Sequence, residues 1–345
     1  MARKASVVIL NLNSEIYTLE CLQSLAKQDY PDFEVIVIDN GSNEACRERL
    51  KKGIAILNKD NFKKRKIKLL ISDKNLGFTG GNNLGARHSK GEYIALLNND
   101  TTVEPIWLSE MVKGLEANRN YVIAGATITN IGEFYGKGKT AGNRLSILGQ
   151  PVECRIKNMT DSFMVSGCSM LFRKSFAKIP FDDDYFAYSE DIALCWKARL
   201  AGYQICMAPA ARVTHYGGTV RKKMPDLTQF HGEKNQLMNL LIYFEKSTLI
   251  RLFQLIVFNS LLSLTFALFK GQFSRWSAYG WLLKNRKRIM EKRKRIQAGR
   301  RVPDREIFKL MTARVPGKGV FFDVYSRFIW LYCRFFGIKL VLWDL

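Results

Sequence analysis

The stretch Leu96-Leu97-Asn98-Asn99-Asp100-Thr101-Thr102 sets two amides and a carboxylate directly after an apolar run, Tyr93 to Leu97. Such a run reads as a buried strand. Ligands of open α/β sheets sit beyond the carboxyl ends of the strands, where the Asp100 carboxylate could hold a hard divalent cation against a phosphate. A strand closing in an Asn/Asp turn gives the same pattern. Repetition weighs between the two. Val7 to Leu10 ends in Asn11-Leu12-Asn13, Val35 to Ile38 in Asp39-Asn40-Gly41-Ser42, and Ile67 to Ile71 in Ser72-Asp73-Lys74-Asn75. Four polar strand ends are expected to line one crevice suited to a nucleotide or phosphate.

Three further groups could add chemistry. Gly77, Gly80 and Gly81 precede a short helix, whose exposed amides would attract phosphate. They match neither a Walker loop nor Gly-x-Gly-x-x-Gly, and a turn with positive φ explains them equally. Glu190 and Asp191 open a helix running to about Ala201, with Ser189 as N-cap and Gly202 as stop. They could be reactive carboxylates or simple complements to the helix dipole. His215 is one of three histidines and is either structural or a ligand beside Asp100.

The elements that must position these residues alternate. Ser14 is expected to cap a helix over Glu15 to Ala26, Pro31 breaks the chain, and a Lys/Arg/Glu-rich helix follows the second strand. Four β-then-helix units predict a mostly parallel sheet with right-handed crossovers. Residues 125 to 160 have no clear period and read as loops and short strands, a candidate mobile cover. Met164 to Phe172 reads as a strand with small central residues, where something approaches closely or a bulge sits. A further strand is expected around Gln204 to Met207.

The chain has 345 residues, 47% of them hydrophobic, which sets aside disorder and suggests roughly two domains. Its formal charge of +23 implies an anionic partner: nucleic acid, anionic lipid or a phosphorylated substrate. Residues Glu245 to Leu345 hold 21 Lys+Arg against 6 Asp+Glu, hence 21 − 6, or +15 of that charge. Seven cysteines without a Cys-x-x-Cys pair fit reduced thiols better than a disulfide framework, and suggest no zinc site. Met1 to Lys4 lead straight into a strand, so no signal peptide is expected.

From about Ala5 to Gly218 the chain resembles the family 2 glycosyltransferases of the GT-A fold, particularly a rhamnosyltransferase-like branch. The matching pieces are Val7 to Asn13, Val37 to Ser42, Asn75 to Asn83, Leu96 to Thr101, Ser189 to Arg199 and His215, in the family's order. The resemblance implies an α/β, Rossmann-like, mostly parallel sheet with helices on both faces. Residues 1–235 would be the nucleotide-sugar domain and 236–345 a basic, aromatic-rich helical region associating with membrane. Asp39 would read the base. Asn98-Asn99-Asp100 stands for the Asp-x-Asp motif, with Asn at its first position, a departure found in this branch. Asp100 and His215 would hold Mn²⁺ or Mg²⁺. Asn11, Asn13, Asn75, Gly80, Asn82, Asn98 and Asn99 would join Asp39 around the nucleotide sugar. Asp191 would be the catalytic base of an inverting reaction, with Glu190 orienting the acceptor and Gly167 and Trp196 beside it. The reaction implied moves a hexose from a UDP- or dTDP-sugar to a lipid-linked or polysaccharide glycan. A catalytically inactive scaffold or nucleotide-sugar-binding protein is the alternative.

Leu255 to Phe269 is apolar at 11 of 15 positions, short of the ~20 residues of a spanning helix. It reads as an interfacial or hairpin helix, or as a buried core helix. Lys284 to Arg301 carries ten Lys/Arg, and Val320 to Leu345 mixes aromatic with basic residues including Trp343. A polybasic run beside an apolar helix suits an anionic membrane surface, and aromatic-basic helices suit its interface. A solvated helix and a homodimer through these helices are the alternatives. Nucleic acid is not expected, since no helix-turn-helix or RRM signature accompanies the charge. These features predict a peripheral or monotopic protein on the cytoplasmic face of the membrane.

Overall fold

A computed structural model describes residues 3–62, 65–131, 138–140, 142–153, 162–217 and 224–341. The four apolar runs form β1 (Ala5–Asn11), β2 (Phe33–Asn40), β3 (Lys68–Ser72) and β4 (Tyr93–Asn98), parallel neighbours in the order β3-β2-β1-β4. Continuous apolar runs suit strands covered on both faces. Alternate residues divide accordingly. Val8, Ile36, Ile38, Ile94 and Leu96 enter one core, while Val7, Ile9, Val35, Val37 and Leu97 enter the other. Helices α1 (Glu15–Leu25), α2 (Glu44–Asp60) and, later, α4 (Trp107–Glu116) supply the second core; α3 (Gly77–His88) and α5 (Glu190–Leu200) supply the first.

The mostly parallel sheet expected is mixed. Beyond β4 the order continues through β10 (Ser169–Arg173), β6 (Tyr121–Asn130), β11 (Gln204–His215) and β5 (Thr101–Val103), with β7 (Gly138–Thr140) on β6. Strand β10 is antiparallel to both β4 and β6, and β5 is antiparallel to β11. The segment expected to be loops from residue 125 is thus partly the ten-residue strand β6. Parts of the expected cover, 132–137, 141 and 154–160, lie outside the described residues. Strand β11 runs past the expected Met207 to His215, because a register shift between Ala208 and Arg212 absorbs Pro209.

Two helix starts differ from expectation. Ser14 precedes α1 without a side-chain capping bond, its Oγ donating to the Leu12 carbonyl instead. Ser189 precedes α5 in the left-handed region, φ 62°, also without one. The glycines expected before α3 lie inside it. A Cβ on Gly81 would stand 2.2 Å from the Leu10 side chain, so glycine there lets α3 press onto β1.

The C-terminal region is α6 (Pro225–Tyr243), α7 (Lys246–Phe269), α8 (Ser274–Lys284), α9 (Arg286–Ala298), α10 (Asp304–Ile307) and α11 (Val320–Phe335). The boundary expected at 235/236 falls inside α6, whose Met238, Leu240 and Tyr243 share the first core with Ile36 and Trp196. Strand β12 (Met311–Thr312) extends a small sheet of β8 (Asn143–Ser146) and β9 (Pro151–Glu153). Helix α7 is 24 residues long, beginning well before the expected Leu255, and α11 ends at Phe335, with Trp343 outside the described residues.

Candidate active site

Pairing register aligns the polar strand ends. Asn11 lies opposite Asp39, Leu10 opposite Asn98, Asn40 opposite Ser72, and His215 opposite both Asn130 and Thr101. They meet at the carboxyl edge of the parallel strands, as expected.

Asp39 is fully buried. Asn11 Nδ2 donates to its Oδ1 at 3.0 Å and Arg47 Nε to its Oδ2 at 3.0 Å. A carboxylate with no exposure needs such partners. Asn11 also donates to Ser42 Oγ at 3.1 Å and accepts from Thr18 Oγ1 at 2.8 Å. Its polar atoms are therefore consumed inside the protein, so it orients Asp39 rather than reaching a ligand, contrary to expectation. Asn75 Oδ1 accepts from Gly77 N at 2.8 Å and from Asn40 Nδ2 at 3.1 Å, which fixes the loop ahead of α3. Asn13 has φ 49° and accepts from Asn43 N at 2.9 Å. Asn99 Nδ2 donates to Thr18 Oγ1 at 3.0 Å.

The α3 amides expected to cradle phosphate already have partners. Leu76 N donates to Asn40 Oδ1, Gly77 N to Asn75 Oδ1, and Thr79 N to the Phe186 carbonyl. Asn82 is 2% exposed and donates to the Phe78 carbonyl at 2.9 Å, and a Cβ on Gly80 would meet Leu76 at 2.8 Å. Both read as packing residues of α3, a correction to their expected ligand role.

Asp100 and His215 come together, Oδ1 to Nε2 3.3 Å. The other ring nitrogen, Nδ1, sits 3.0 Å from Asn130 Oδ1, an acceptor that directs Nε2 toward Asp100. Burial works against charge on His215, and Cys168 and Asp100 outweigh it, so its pKa is pushed up to about 10. With the Nε2 proton displaced, this imidazole and the Asp100 carboxylate fit a hard divalent cation whose remaining positions go to phosphate oxygens and water. Among the described residues no cluster of three or more His, Cys, Asp or Glu could hold a metal unaided.

Asp191 bonds the turn that precedes β10. That turn replaces the first half of the strand expected over Met164 to Phe172. Gly167 N donates to Asp191 Oδ2 at 2.9 Å and Ile192 N to Oδ1 at 2.8 Å. Asn98 N donates to the adjoining Cys168 carbonyl at 2.9 Å. Cys168 feels the charges of His215, Asp100 and Asp191 together, so the three converge on one turn. Burial raises the Asp191 pKa, and the Gly167 and Ile192 amides hold it back. Burial, with the Asp191 charge, raises Glu190 far more, and Glu190 Oε2 is buried without a partner among the described residues. Glu190 is 7% exposed, and burial beside Asp191 favours its neutral form.

Trp196 has no exposure. It stacks on Tyr243 at 5.4 Å and meets Phe163 and Phe244 edge-on at 5.6 and 4.9 Å. Its place beside an acceptor is therefore corrected to the core. The residues that sequence reading missed are Asn130, which orients His215, and Lys234, Asn235 and Asn239 of α6, all buried. Asn239, a lone amide in the apolar run Leu237 to Tyr243 and one turn after Asn235, was the available signal.

The family model for glycosyl transferase family 2 matches residues 6–180, just over half of the 345-residue chain. The chain belongs to glycosyl transferase family 2. It is 26% identical over 210 residues to the amylovoran biosynthesis glycosyltransferase AmsB of Erwinia amylovora, covering 59% of this chain and 66% of that one. It is 31% identical over 128 residues to an uncharacterized glycosyltransferase of Haemophilus influenzae, covering 37% and 38%. The chain thus spans less than two thirds of the length of these curated relatives. Among solved structures it superposes on a mannosyltransferase of Pyrobaculum calidifontis in complex with GDP-Man and Mn²⁺, with TM-score 0.50 and 17% identity over 70% of this chain and 64% of that one. It also superposes on GalNAc-T7 with UDP, GalNAc and Mn²⁺, with TM-score 0.56 and 16% identity over 71% and 48%. These likenesses establish a GT-A-like fold.

Proposed function

We propose that the protein is an inverting, metal-dependent glycosyltransferase that moves a sugar from a UDP- or dTDP-sugar to a lipid-linked or polysaccharide glycan at the cytoplasmic face of the membrane. The observation that carries the reading is the convergence of Asp100, His215 and Asp191 on the Gly167-Cys168 turn. Asp100 and His215 would hold Mn²⁺ or Mg²⁺, which as a Lewis acid stabilises the charge on a departing diphosphate. Asn98, with its side chain half-buried at the end of β4, flanks the donor side, while Asp39 is buried and held by Asn11 and Arg47. Asn at the first position of the Asp-x-Asp motif accords with the rhamnosyltransferase-like branch. Asp191, fixed by two amides, takes the proton from the attacking hydroxyl as the bond to the leaving diphosphate breaks. A base opposite the leaving group gives inversion, and such bases contribute about 10²–10⁴-fold. Burial raises Glu190 more than the amide-bonded Asp191, which favours Asp191 as the carboxylate that ionises.

The membrane part of the proposal rests on α7 and α11. Helix α7 is long and apolar enough to cross a membrane, yet only 17% of its most apolar window is buried. It is tied to α6 and α11. Thr248, Leu252, Leu255 and Ala267 are buried, Asn259 accepts from Tyr325 at 3.1 Å, and Ser263 donates to Glu233 at 3.0 Å. Helix α11 packs alongside through Phe258–Tyr325 and Phe258–Phe328 ring contacts. The outer face presents Phe253, Val257, Leu261, Phe321, Val324 and Leu331, each at least 39% exposed. Polar ties at Asn259 and Ser263 suit a helix lying in the interface rather than spanning. Lys284, Arg286 and Lys287 remain exposed nearby to meet anionic headgroups.

The test combines two assays. Purified protein is given UDP-, dTDP- and GDP-sugars with Mn²⁺, then EDTA, with membrane lipid extract as acceptor. Metal-dependent nucleoside diphosphate release from one donor, giving a product of inverted anomeric configuration, supports the reading. Release from none, with nucleotide still bound, favours an inactive scaffold. Flotation with phosphatidylcholine vesicles, with and without phosphatidylserine, tests the surface. Phe253→Glu/Leu261→Glu should abolish flotation, whereas a dimer at this face would instead dissociate in light scattering.

A further inference from the structure

Phe186, Tyr188 and Ser189 have φ values of 62°, 71° and 62°. None is glycine, so the left-handed region is costly at each. They immediately precede Glu190 and Asp191. Local sequence therefore does not make this segment; something else must hold it.

The holder is α6. Asn235 Nδ2 lies 3.0, 2.8 and 2.7 Å from the carbonyl oxygens of Tyr185, Ala187 and Tyr188. One turn on, Asn239 Nδ2 donates to the Ser189 carbonyl at 3.2 Å, while Asn239 Oδ1 accepts from the Tyr185 hydroxyl. Both asparagines have no exposure. From the other side, Thr79 N donates to the Phe186 carbonyl at 3.0 Å. The Ser189 carbonyl also accepts from Ala193 N at 3.1 Å, so the atom gripped by Asn239 begins α5. The first turn of α5 in turn brings Asp191 to Gly167 N.

We propose that Asn235 and Asn239 are positioning residues for Asp191, holding the left-handed segment that aims its carboxylate. The inference rests on the reading of Asp191 as the base. Helix α6 then does more than connect the two halves of the chain: the C-terminal region completes the catalytic side of the crevice. Arg288 and Lys292 of α9 add to this grip through Asp184, the residue before Tyr185.

The experiment uses the full chain and the donor that turns over in the panel above. Asn235→Ala is compared with wild type and with Tyr185→Phe, which removes one hydroxyl and serves if the first variant fails to fold. Amide exchange of the 186–193 segment should accelerate while exchange in β1 does not. Turnover should fall by about 10²-fold, the scale of a roughly 1 Å misplacement, with UDP–Mn²⁺ affinity unchanged. The acid limb of the pH profile should move down, because water reaching Asp191 relieves the burial that raises its pKa. Unchanged exchange in 186–193 overturns the proposal. So does faster exchange with turnover and acid limb unmoved. Asp191→Asn turning over like wild type would instead sink the base assignment, and the positioning role with it, while exchange still reports whether the grip on 186–189 exists.

Discussion

Replacing Arg47 by methionine tests how the buried Asp39 is held. Asp39 has no exposure, and the Arg47 side chain is 25% exposed. Removing one partner of a buried ion pair costs about 3–5 kcal/mol, because the other charge is left uncompensated. Asn11 stays at 3.0 Å and a quarter of the Arg47 site already meets water, so the lower end applies, about 3 kcal/mol. That is a change of more than about 100-fold in the folding equilibrium. Asp39→Asn/Arg47→Met removes both charges and should recover most of the loss, giving a coupling of about 2 kcal/mol in the double-mutant cycle. Urea unfolding followed by circular dichroism and tryptophan fluorescence measures it, coincident transitions being required for the comparison. A cost under about 1 kcal/mol, the range of surface pairs, would refute the reasoning, as would strict additivity in the cycle.

Other consequences follow from the same geometry. Trp196→Ala should cost about 3–5 kcal/mol, since three aromatic partners lose their contact, and Trp196→Phe should lower Tm without changing the acceptor KM. Glu190→Gln should raise Tm at neutral pH. The folded Glu190 pKa lies well above its unfolded value of about 4.3, so the wild type loses stability as pH rises from the unfolded toward the folded pKa. The Tm gap should therefore widen upward from about pH 4 and vanish below it. In turnover, the acid limb should lie above the ordinary aspartate pKa of about 3.9, because burial raises Asp191.

Much of the crevice was legible because strands buried on both faces announce themselves as apolar runs and their ends as polar interruptions. Asp39 and Asp100 were found that way, whereas Asp191 stood out at a helix start and His215 by its rarity, their roles coming from the family resemblance. Strand β11 was read short because Pro209 and Ala210 end the apolar pattern, whereas the sheet accommodates them in a bulge. Trp196 and Asp191 lie in one helix, and periodicity alone does not say that one faces the crevice and the other Tyr243. The left-handed backbone at Ser189 is set by Asn235 and Asn239, distant in sequence, so residue preference predicted a cap that tertiary bonds override. The basic run was only partly solvent-facing. Arg293 and Gln297 bond the carbonyls that end α6, and Lys292 pairs with Asp182 and Asp184. Charge composition counts such residues without showing what they meet.

The most direct measurement is nucleoside diphosphate release by wild type, Asp191→Asn and Asp100→Asn, with UDP–Mn²⁺ affinity determined for each by calorimetry. The account predicts that Asp191→Asn binds as wild type does while turnover falls by about 10²–10⁴-fold, and that Asp100→Asn loses the metal-dependent part of binding. Turnover by Asp191→Asn at the wild-type rate, or Mn²⁺-dependent binding untouched in Asp100→Asn, would contradict it.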